Sequence, residues 1–169
     1  MADIRIRDES PEDAPLIEQI TKSAFLSARH AYGAEQHIVA ALRKAGCLTI
    51  SKVATRAGEV VGHVAISPIR ISGSDRQWYG LGPISVLPDC QGRGIGSALA
   101  MDALLALSEF GAAGCVVLGD PRYYGRFGFR HEGALKLPGV PPEYFMAVAF
   151  EMPVPEGVVS YHEAFRARS

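Results

Sequence analysis

The sequence predicts a mixed α/β fold of the α+β type, in which a mostly antiparallel sheet contains one strand–helix–strand unit. Between residues 48 and 87, apolar side chains recur with a period of two, which indicates neighbouring antiparallel strands joined by short turns. A long apolar helical segment and a short buried strand follow, which indicates one parallel connection. A chain of 169 residues, 48% of them hydrophobic, is large enough for one stable domain of this kind.

The N-terminal part predicts one strand followed by two helices. Residues 3–7 alternate polar and apolar side chains, and residues 10–13 then supply an N-cap serine, a proline and an acid for a helix start. In the first helix the residues expected on one buried face are Leu16, Ile17, Ile20 and Ala24. In the second helix, which is expected to end near Gly46, they are Ile38, Val39 and Leu42.

Period-two segments predict three antiparallel strands at 48–56, 60–71 and 78–87. The later elements expected are a helix at about 94–110, a buried strand at 115–118, a short helix opened by Asp120 and Pro121, and a strand at 144–152. We expect residues 1–169 to form a single domain with its core at about 4–152, and the apolar tail 153–169 to dock on that core as an extension. The edge of the last strand, together with this tail, favours a homodimer.

Composition excludes several classes of partner and site. With 17 basic and 18 acidic residues the net charge is −1, which gives no overall electrostatic attraction to nucleic acid or to a membrane. The cysteines are three in number and lack C-x-x-C spacing, and the histidines lack metal-ligand spacing, so neither a disulfide framework nor a metal site is expected. The N-terminus has no signal-peptide pattern, which favours a cytoplasmic location.

The segment from Gln91 to Ser97 is the main chemical motif, because it has three glycines in five positions at the start of a helix. Each glycine costs about 0.5–1 kcal/mol relative to alanine in a helix, which makes sense where backbone must approach a ligand closely. The N–H groups of a helix N-terminus suit a phosphate or pyrophosphate, and Arg93 adds a positive charge. No lysine follows as in a P-loop, and Leu99 stands where a Rossmann turn requires a small residue.

Two segments carry a family resemblance. The sequence Val86-Leu87-Pro88, followed by Gln91, Gly94 and Gly96, resembles the acyl-CoA signature of the GNAT superfamily of N-acetyltransferases. The segment 123–129, Tyr-Tyr-Gly-Arg-Phe-Gly-Phe, is similar to the Tyr-x-x-x-Gly-Phe segment of that family. The resemblance covers about residues 4–152 and is greatest to small bacterial members. It implies the GNAT fold, with about six or seven strands, splayed parallel strands 4 and 5, and about four flanking helices.

The resemblance also implies that acetyl-CoA is the cosubstrate. The strand 84–86 would hold the pantetheine arm by backbone pairing, and one of its N–H groups would polarise the thioester carbonyl. Independently of the family, Gly82 and Pro83 predict a bulge or bend near residues 81–83. The implied cofactor-binding residues are Ile84, Ser85, Val86, Gln91, Gly92, Arg93, Gly94, Ile95, Gly96, Ser97, Tyr123, Tyr124 and Phe127.

Acetyl transfer to an amine requires that the amine lose a proton and that the departing thiolate gain one. For the second role the resemblance indicates Tyr124 as the general acid, with its neighbour Tyr123 as the alternative. For the base, the candidates are Glu35, which we favour, His37, His63 and a chain of waters; taken alone, Glu35 is explained as an acid at a helix start.

Asp120 is explained as an N-cap before Pro121, and Cys90 has no partner base for an acetyl-cysteine intermediate.

The expected function is an acetyl-CoA-dependent N-acetyltransferase that acetylates a primary amine of a small molecule or protein by direct attack in a ternary complex. The alternative is a non-catalytic acyl-CoA-binding or sensor module. The acceptor, expected to contact residues 25–44 and 135–145, and the acyl chain length are left open.

Overall fold

A mixed sheet forms the centre of the protein, which a computed structural model describes at residues 3–26 and 35–167. Within these residues the sheet strands are β1 (Ile4–Asp8), β2 (Ile50–Arg56), β3 (Glu59–Ile71), β4 (Trp78–Val86), β5 (Gly114–Leu118), β6 (Leu135–Lys136), β7 (Phe145–Ala149) and β8 (Gly157–Tyr161). The helices are α1 (Ala14–Leu26), α2 (Glu35–Lys44), α3 (Ile95–Phe110) and α4 (Pro121–Tyr124).

The main path of the sheet has the order β1-β2-β3-β4-β5-β7. All neighbours on this path are antiparallel except β4 and β5, which α3 connects as a parallel pair. The short strands β6 and β8 lie off the path, where β8 pairs with the end of β3 and β6 pairs with β8. The predicted fold class, a mostly antiparallel sheet with one parallel pair, is confirmed.

The parallel pair separates along its length. Strand β4 pairs with β5 only from Trp78 to Gly80 and then continues to Val86 without β5. In the same region its register against β3 shifts, because Leu81 pairs with Ile66 whereas Ile84 pairs with Val64. Two residues of β4 therefore stand opposite one of β3, which is the bulge predicted near residues 81–83. A gap opens between the carboxyl ends of β4 and β5.

Helix α3 covers one face of the sheet, and α1 and α2 cover the other. A Cβ added to Gly62 of β3 would lie 3.0 Å from Leu99 Cδ1, so this glycine allows α3 to pack closely on the sheet. On the opposite face Ile17, Val39 and Val53 form a small apolar cluster that joins α1, α2 and β2. Side chains that alternate along β3 and β4 therefore face different helices.

Two local predictions were wrong. Leu16 is 44% exposed, because the buried stripe of α1 runs through Ile17, Ile20, Thr21 and Ala24 instead. Thr21 is accommodated in that stripe because its hydroxyl donates to the carbonyl of Ile17 at 2.7 Å. The last predicted strand stops at Ala149 and does not reach residue 152, because the N–H groups of Phe150 and Glu151 both turn to the carbonyl of Ala113.

The free edge of β7 is partly covered. Arg130 exchanges two backbone hydrogen bonds with Ala147 on the side away from β5, at 2.8 and 3.0 Å. The homodimer therefore stays a prediction, as does the assignment of residues 1–169 to one domain with a docked extension. No helix in the described part of the chain has the length and apolar character needed to cross a membrane.

Candidate active site

The glycine turn lies between the end of β4 and the start of α3. Gly92 and Gly94 have φ values of 75° and 82°, in the left-handed region that L side chains rarely adopt. A Cβ added at either position would meet nothing within 4 Å, so the backbone here faces open space. Gly94 is also the N-cap of α3, whose first N–H groups are directed into that space. The turn thus has the form of an anion-binding backbone cradle.

A cavity of about 370 Å³ lies over this turn and brings together many of the predicted contacts. Its lining consists of Val86, Cys90, Gln91, Gly92, Gly94, Ile95, Gly96, Ser97, Tyr123 and Arg126. The predicted contacts Ile84, Ser85, Arg93, Tyr124 and Phe127 are not in this lining. The side chain of Gln91 donates to the carbonyl of Val86 at 3.0 Å, so it fastens the turn to the end of β4.

Tyr123 and Arg126 form the far wall of the cavity. A Cβ on Gly96 would lie 2.9 Å from the Tyr123 hydroxyl, so glycine at 96 makes room for that hydroxyl over the first turn of α3. Arg126 lies across the Tyr123 ring, with its Cζ 4.7 Å from the ring centroid, and donates to Ser97 Oγ at 3.0 Å. Sequence reasoning missed Arg126, although a basic residue three positions after Tyr123 on a helical segment was the signal for it.

Tyr124 follows β5 as the glycine turn follows β4, so both lie at the carboxyl ends of the separating parallel strands. Its ring packs edge-on against Tyr123 and Phe129, with centroids 4.9 and 6.0 Å apart. A Cβ on Gly119 would lie 2.4 Å from the Tyr124 ring, so this glycine reserves the space that the ring occupies. Burial raises the pKa of Tyr124 to about 12, which keeps its hydroxyl protonated and able to donate at neutral pH.

The structure accounts for two other residues singled out in the sequence. Asp120 is the N-cap of α4, because its Oδ1 accepts from the N–H of Arg122 at 2.9 Å, as predicted. Cys90 is buried in the largest apolar cluster, and its Sγ accepts from Arg56 Nη1 at 4.0 Å. Among the described residues, neither side chain has the hydrogen-bond partners of a nucleophile or base.

The candidate bases lie on the other face of the sheet. Glu35 is the first residue of α2 and is buried, and this helix packs on α1 and contacts β4. His37 lies beside it, with Nε2 3.4 Å from Gln36 Nε2. Part of the region expected to contact the acceptor, residues 27–34, lies outside the described residues. The role of Glu35 as a base therefore stays a prediction.

His63 belongs to a buried polar group that sequence reasoning did not assemble. Its Nε2 lies 2.8 Å from Ser51 Oγ, and Ser51 in turn donates to the carboxylate of Glu9. Arg43 binds that carboxylate with two hydrogen bonds, of 2.9 and 3.2 Å. Burial lowers the pKa of His63 from 6.5 to about 4, against the opposing charge of Glu9. For Glu9, burial acts to raise the pKa, but the hydrogen bonds from Arg43 and Ser51 prevail and lower it.

This buried imidazole predicts a pH-dependent stability. A histidine held neutral in the fold stabilises it fully above pH 6.5, and the contribution is lost as pH falls towards 4, because the unfolded chain takes up a proton that the fold excludes. Between pH 7.5 and pH 5 we expect a loss of about 2 kcal/mol in the free energy of unfolding from His63 alone. Urea unfolding of the wild type and of His63→Gln at both pH values measures it. Equal losses in the two proteins would contradict the expectation.

A larger cavity of about 700 Å³ lies at the hairpin between β3 and β4, lined by residues 68–72, 74–79, 158 and 160. Arg76 at its rim is committed to the backbone carbonyls of Pro153 and Glu151. This cavity lacks the open helix N-terminus and the paired tyrosines. The smaller cavity at the glycine turn is therefore the better candidate for chemistry.

Comparison with known proteins agrees with this geometry. Residues 34–131 match the family model described as an acetyltransferase (GNAT) domain. The uncharacterized N-acetyltransferase YhbS of Escherichia coli K12 is 38% identical over 167 residues, which cover 95% of this chain and 97% of that protein.

Two solved structures share the fold over almost the whole chain. A GNAT family acetyltransferase from Brucella melitensis, in complex with acetyl-CoA, is 46% identical with a TM-score of 0.86, over 96% of this chain and 98% of that chain. Escherichia coli YhbS, in complex with CoA, is 36% identical with a TM-score of 0.89, over 100% of this chain and 95% of that chain. The family match and these full-length relatives agree with the motifs at residues 86–97 and 123–129. The chain therefore belongs to the GNAT family of acetyltransferases.

Proposed function

We propose that the protein transfers the acetyl group of acetyl-CoA to a primary amine of a small molecule or protein, by direct attack of the amine in a ternary complex. The observation that carries the proposal is the pairing of an open glycine turn with a half-buried, protonated Tyr124 at the ends of two separating strands. The complexes of the Brucella relative with acetyl-CoA and of YhbS with CoA support the choice of donor.

The residues present fit a pyrophosphate-bearing cosubstrate. The left-handed backbone of Gly92 and Gly94 leaves open space in front of the N-terminus of α3, where N–H groups and the helix dipole favour an anion. Arg126 adds a guanidinium group that Ser97 and the Tyr123 ring hold in the same cavity. Residues 84–86 have no partner strand on the β5 side within the described chain, so this edge is available to a pantetheine arm.

Two proton transfers define the roles of the side chains. Acetyl-CoA supplies an activated thioester, and an N–H group of residues 84–86 is suited to bind its carbonyl oxygen as negative charge develops there. Tyr124 then donates its phenolic proton to the departing sulfur. The proton of the amine goes to a base on the α1–α2 side of the sheet, where Glu35 remains a candidate.

Arg126 predicts a cofactor-binding effect. In Arg126→Ala the guanidinium group is lost from the cavity, and we expect the Kd for CoA to rise on the order of tenfold, less so at high salt. Isothermal titration measures the Kd. Arg122→Ala is the matched control, because this arginine lies in the same segment with a side chain that is 93% exposed and faces Asp120. Equal effects of the two substitutions would contradict a specific role for Arg126.

Gly119 predicts a catalytic effect that leaves cofactor binding intact. In Gly119→Ala the new methyl group would lie 2.4 Å from the Tyr124 ring and must displace it. We expect kcat to fall on the order of tenfold to a hundredfold, since a proton donor that is out of position loses much of its effect. Gly133→Ala, where an added Cβ meets nothing within 4 Å, is the control and should keep the wild-type kcat. Unchanged kcat in both variants would mean that Tyr124 can shift without cost.

The test of the proposed function is release of free thiol from acetyl-CoA in the presence of single amines. A suitable panel contains polyamines, aminoglycosides, free amino acids and peptides with lysine or free N-termini. We expect at least one amine to give enzyme-dependent thiol release together with an acetylated product seen by mass spectrometry. CoA binding without release for any amine would instead support the non-catalytic sensor. A cytoplasmic location and a homodimer also remain proposals.

A further inference from the structure

A line of polar side chains crosses the buried α1–α2 face of the sheet. It consists of Arg43, Glu9, Ser51 and His63, and its exposure falls from 32% for the Arg43 side chain to 0% for His63. The surroundings are apolar, with Ile17, Val39 and Val53 in the adjacent cluster. Burial of an imidazole there is costly, and its neighbours satisfy only one of its two ring nitrogens.

The hydrogen bonds fix which ring nitrogen of His63 carries the proton. The Glu9 carboxylate can only accept, and it accepts from Arg43 and from the single hydroxyl hydrogen of Ser51. The Ser51 oxygen must therefore accept from His63, so Nε2 carries the proton and Nδ1 carries the lone pair. Nδ1 is buried and has no hydrogen-bond partner among the residues that the structure describes.

The inner end of this line reaches β4 at the proposed thioester site. His63 pairs with Ser85 across β3 and β4, so the two side chains lie next to each other on the same face. Ser85 is buried, with Oγ 3.4 Å from Thr21 Oγ1 of α1. It stands between Ile84 and Val86, in the part of β4 that has left β5. The lone pair of His63 Nδ1 is thus separated only by the Ser85 side chain from the backbone of residues 84–86, which is proposed to bind the thioester.

We infer that His63 accepts the proton of the attacking amine, relayed by the Ser85 hydroxyl, and that the Ser51–Glu9–Arg43 line orients its ring for that task. As the N–C bond forms and the C–S bond breaks, an N–H bond of the amine breaks at Ser85 Oγ. The Ser85 hydroxyl, whose Oγ lies 3.4 Å from Thr21 Oγ1 in the resting structure, must turn to Nδ1 to pass its proton there. The electron pair of the N–H bond stays on the amide nitrogen. The proton returns to solvent by the same route after the product leaves. This inference rests on the proposed function.

Nearby carboxylates partly offset the cost of placing a positive charge on His63. The imidazolium that forms would face the Glu9 carboxylate, whose Oε1 lies 3.9 Å from Nε2. Burial, the largest effect, and the charge of Arg43 disfavour the cation, whereas the charges of Glu9 and Asp13 favour it. With the resting ring neutral at neutral pH, Nδ1 is available as a base across the physiological range. The arrangement thus resembles other catalytic histidines whose tautomer is fixed by a carboxylate, which acts here through Ser51.

The kinetic test compares the wild type with His63→Gln and Ser85→Ala, using the amine that releases thiol fastest in the panel above. We expect either substitution to lower kcat on the order of a hundredfold, with the Kd for acetyl-CoA unchanged. Above pH 7 the wild-type kcat should be level, whereas the variants should rise with hydroxide concentration. Variants that keep the wild-type kcat and its pH dependence would overturn the inference. A lower kcat with the wild-type pH dependence would indicate loss of stability alone and would also count against the relay.

A second measurement needs neither an acceptor nor a variant. Long-range proton–nitrogen NMR on the uniformly labelled wild type reports the tautomer of His63. We expect the neutral form with the proton on Nε2 between pH 6 and 8, and a change of the Nδ1 shift on addition of acetyl-CoA. A proton on Nδ1, or no response to acetyl-CoA, would overturn the role of His63. Absence of thiol release with every amine would instead contradict the proposed function. The NMR result would still report the tautomer of His63 and its response to acetyl-CoA.

Discussion

Gly94→Ala is expected to weaken CoA binding on the order of a hundredfold and to lower the free energy of unfolding by only about 1–2 kcal/mol. The stability cost arises because φ at this position is 82°, in the left-handed region that disfavours a Cβ. The loss of affinity has a second cause. The new methyl group would project into the open space above the turn, where the N–H groups of α3 would otherwise meet a pyrophosphate.

Gly73→Ala separates these two causes. Gly73 lies in the turn after β3, with a φ of 76° and nothing within 4 Å of an added Cβ. Its substitution carries the same conformational cost at a distance from the glycine turn. Titration calorimetry with CoA and urea unfolding of both variants measure the two effects. If both variants lose stability equally and only Gly94→Ala loses affinity, the turn binds the cosubstrate; equal affinities would exclude that role.

Tyr124→Phe is expected to lower kcat on the order of a hundredfold or more, with little change in the Kd for acetyl-CoA. Phenylalanine keeps the ring contacts with Tyr123 and Phe129 and the fit against Gly119, so only the proton donor is removed. Because burial raises the pKa of Tyr124 to about 12, the wild type should lose no activity through ionisation of this group between pH 7 and 10.

Tyr144→Phe is the matched control, since this tyrosine is 46% exposed and lies outside the cavity at the glycine turn. Steady-state rates over the pH range measure the effect in both variants. A Tyr124→Phe protein with full turnover would move the proton-donor role to Tyr123 or to solvent. Absence of turnover in the wild type would instead favour the sensor alternative.

Local patterns predicted most of the fold because they are set by neighbouring residues. Period-two alternation located β2, β3 and β4, and the residues Asp120 and Pro121 marked the start of α4 correctly. The same local reasoning failed at Leu16, where two overlapping spacings of three and four residues give different helix faces and only the packing against β2 selects between them. It also failed at the end of β7, because the carbonyl of Ala113 lies far away in sequence.

The missed parts of the site depend on contacts between distant residues. Arg126 binds Ser97, which is 29 positions away, and no local period brings them together. Gly119 is explained only by the ring of Tyr124 that folds back over it. His63 was named as a candidate base on its own, but its tautomer depends on Ser51 and Glu9, from other elements. These contacts follow from the strand order of the sheet, which the sequence reports only indirectly.

Hydrogen exchange with and without CoA tests whether the cosubstrate binds at the glycine turn. We expect CoA to slow the exchange of amides in residues 84–86 and 91–97, at the edge of β4 and the N-terminus of α3. Exchange in residues 69–79, which line the larger cavity at the β3–β4 hairpin, should stay unchanged. Protection of that hairpin with none at the turn would place the cosubstrate at the larger cavity and contradict binding at the glycine turn.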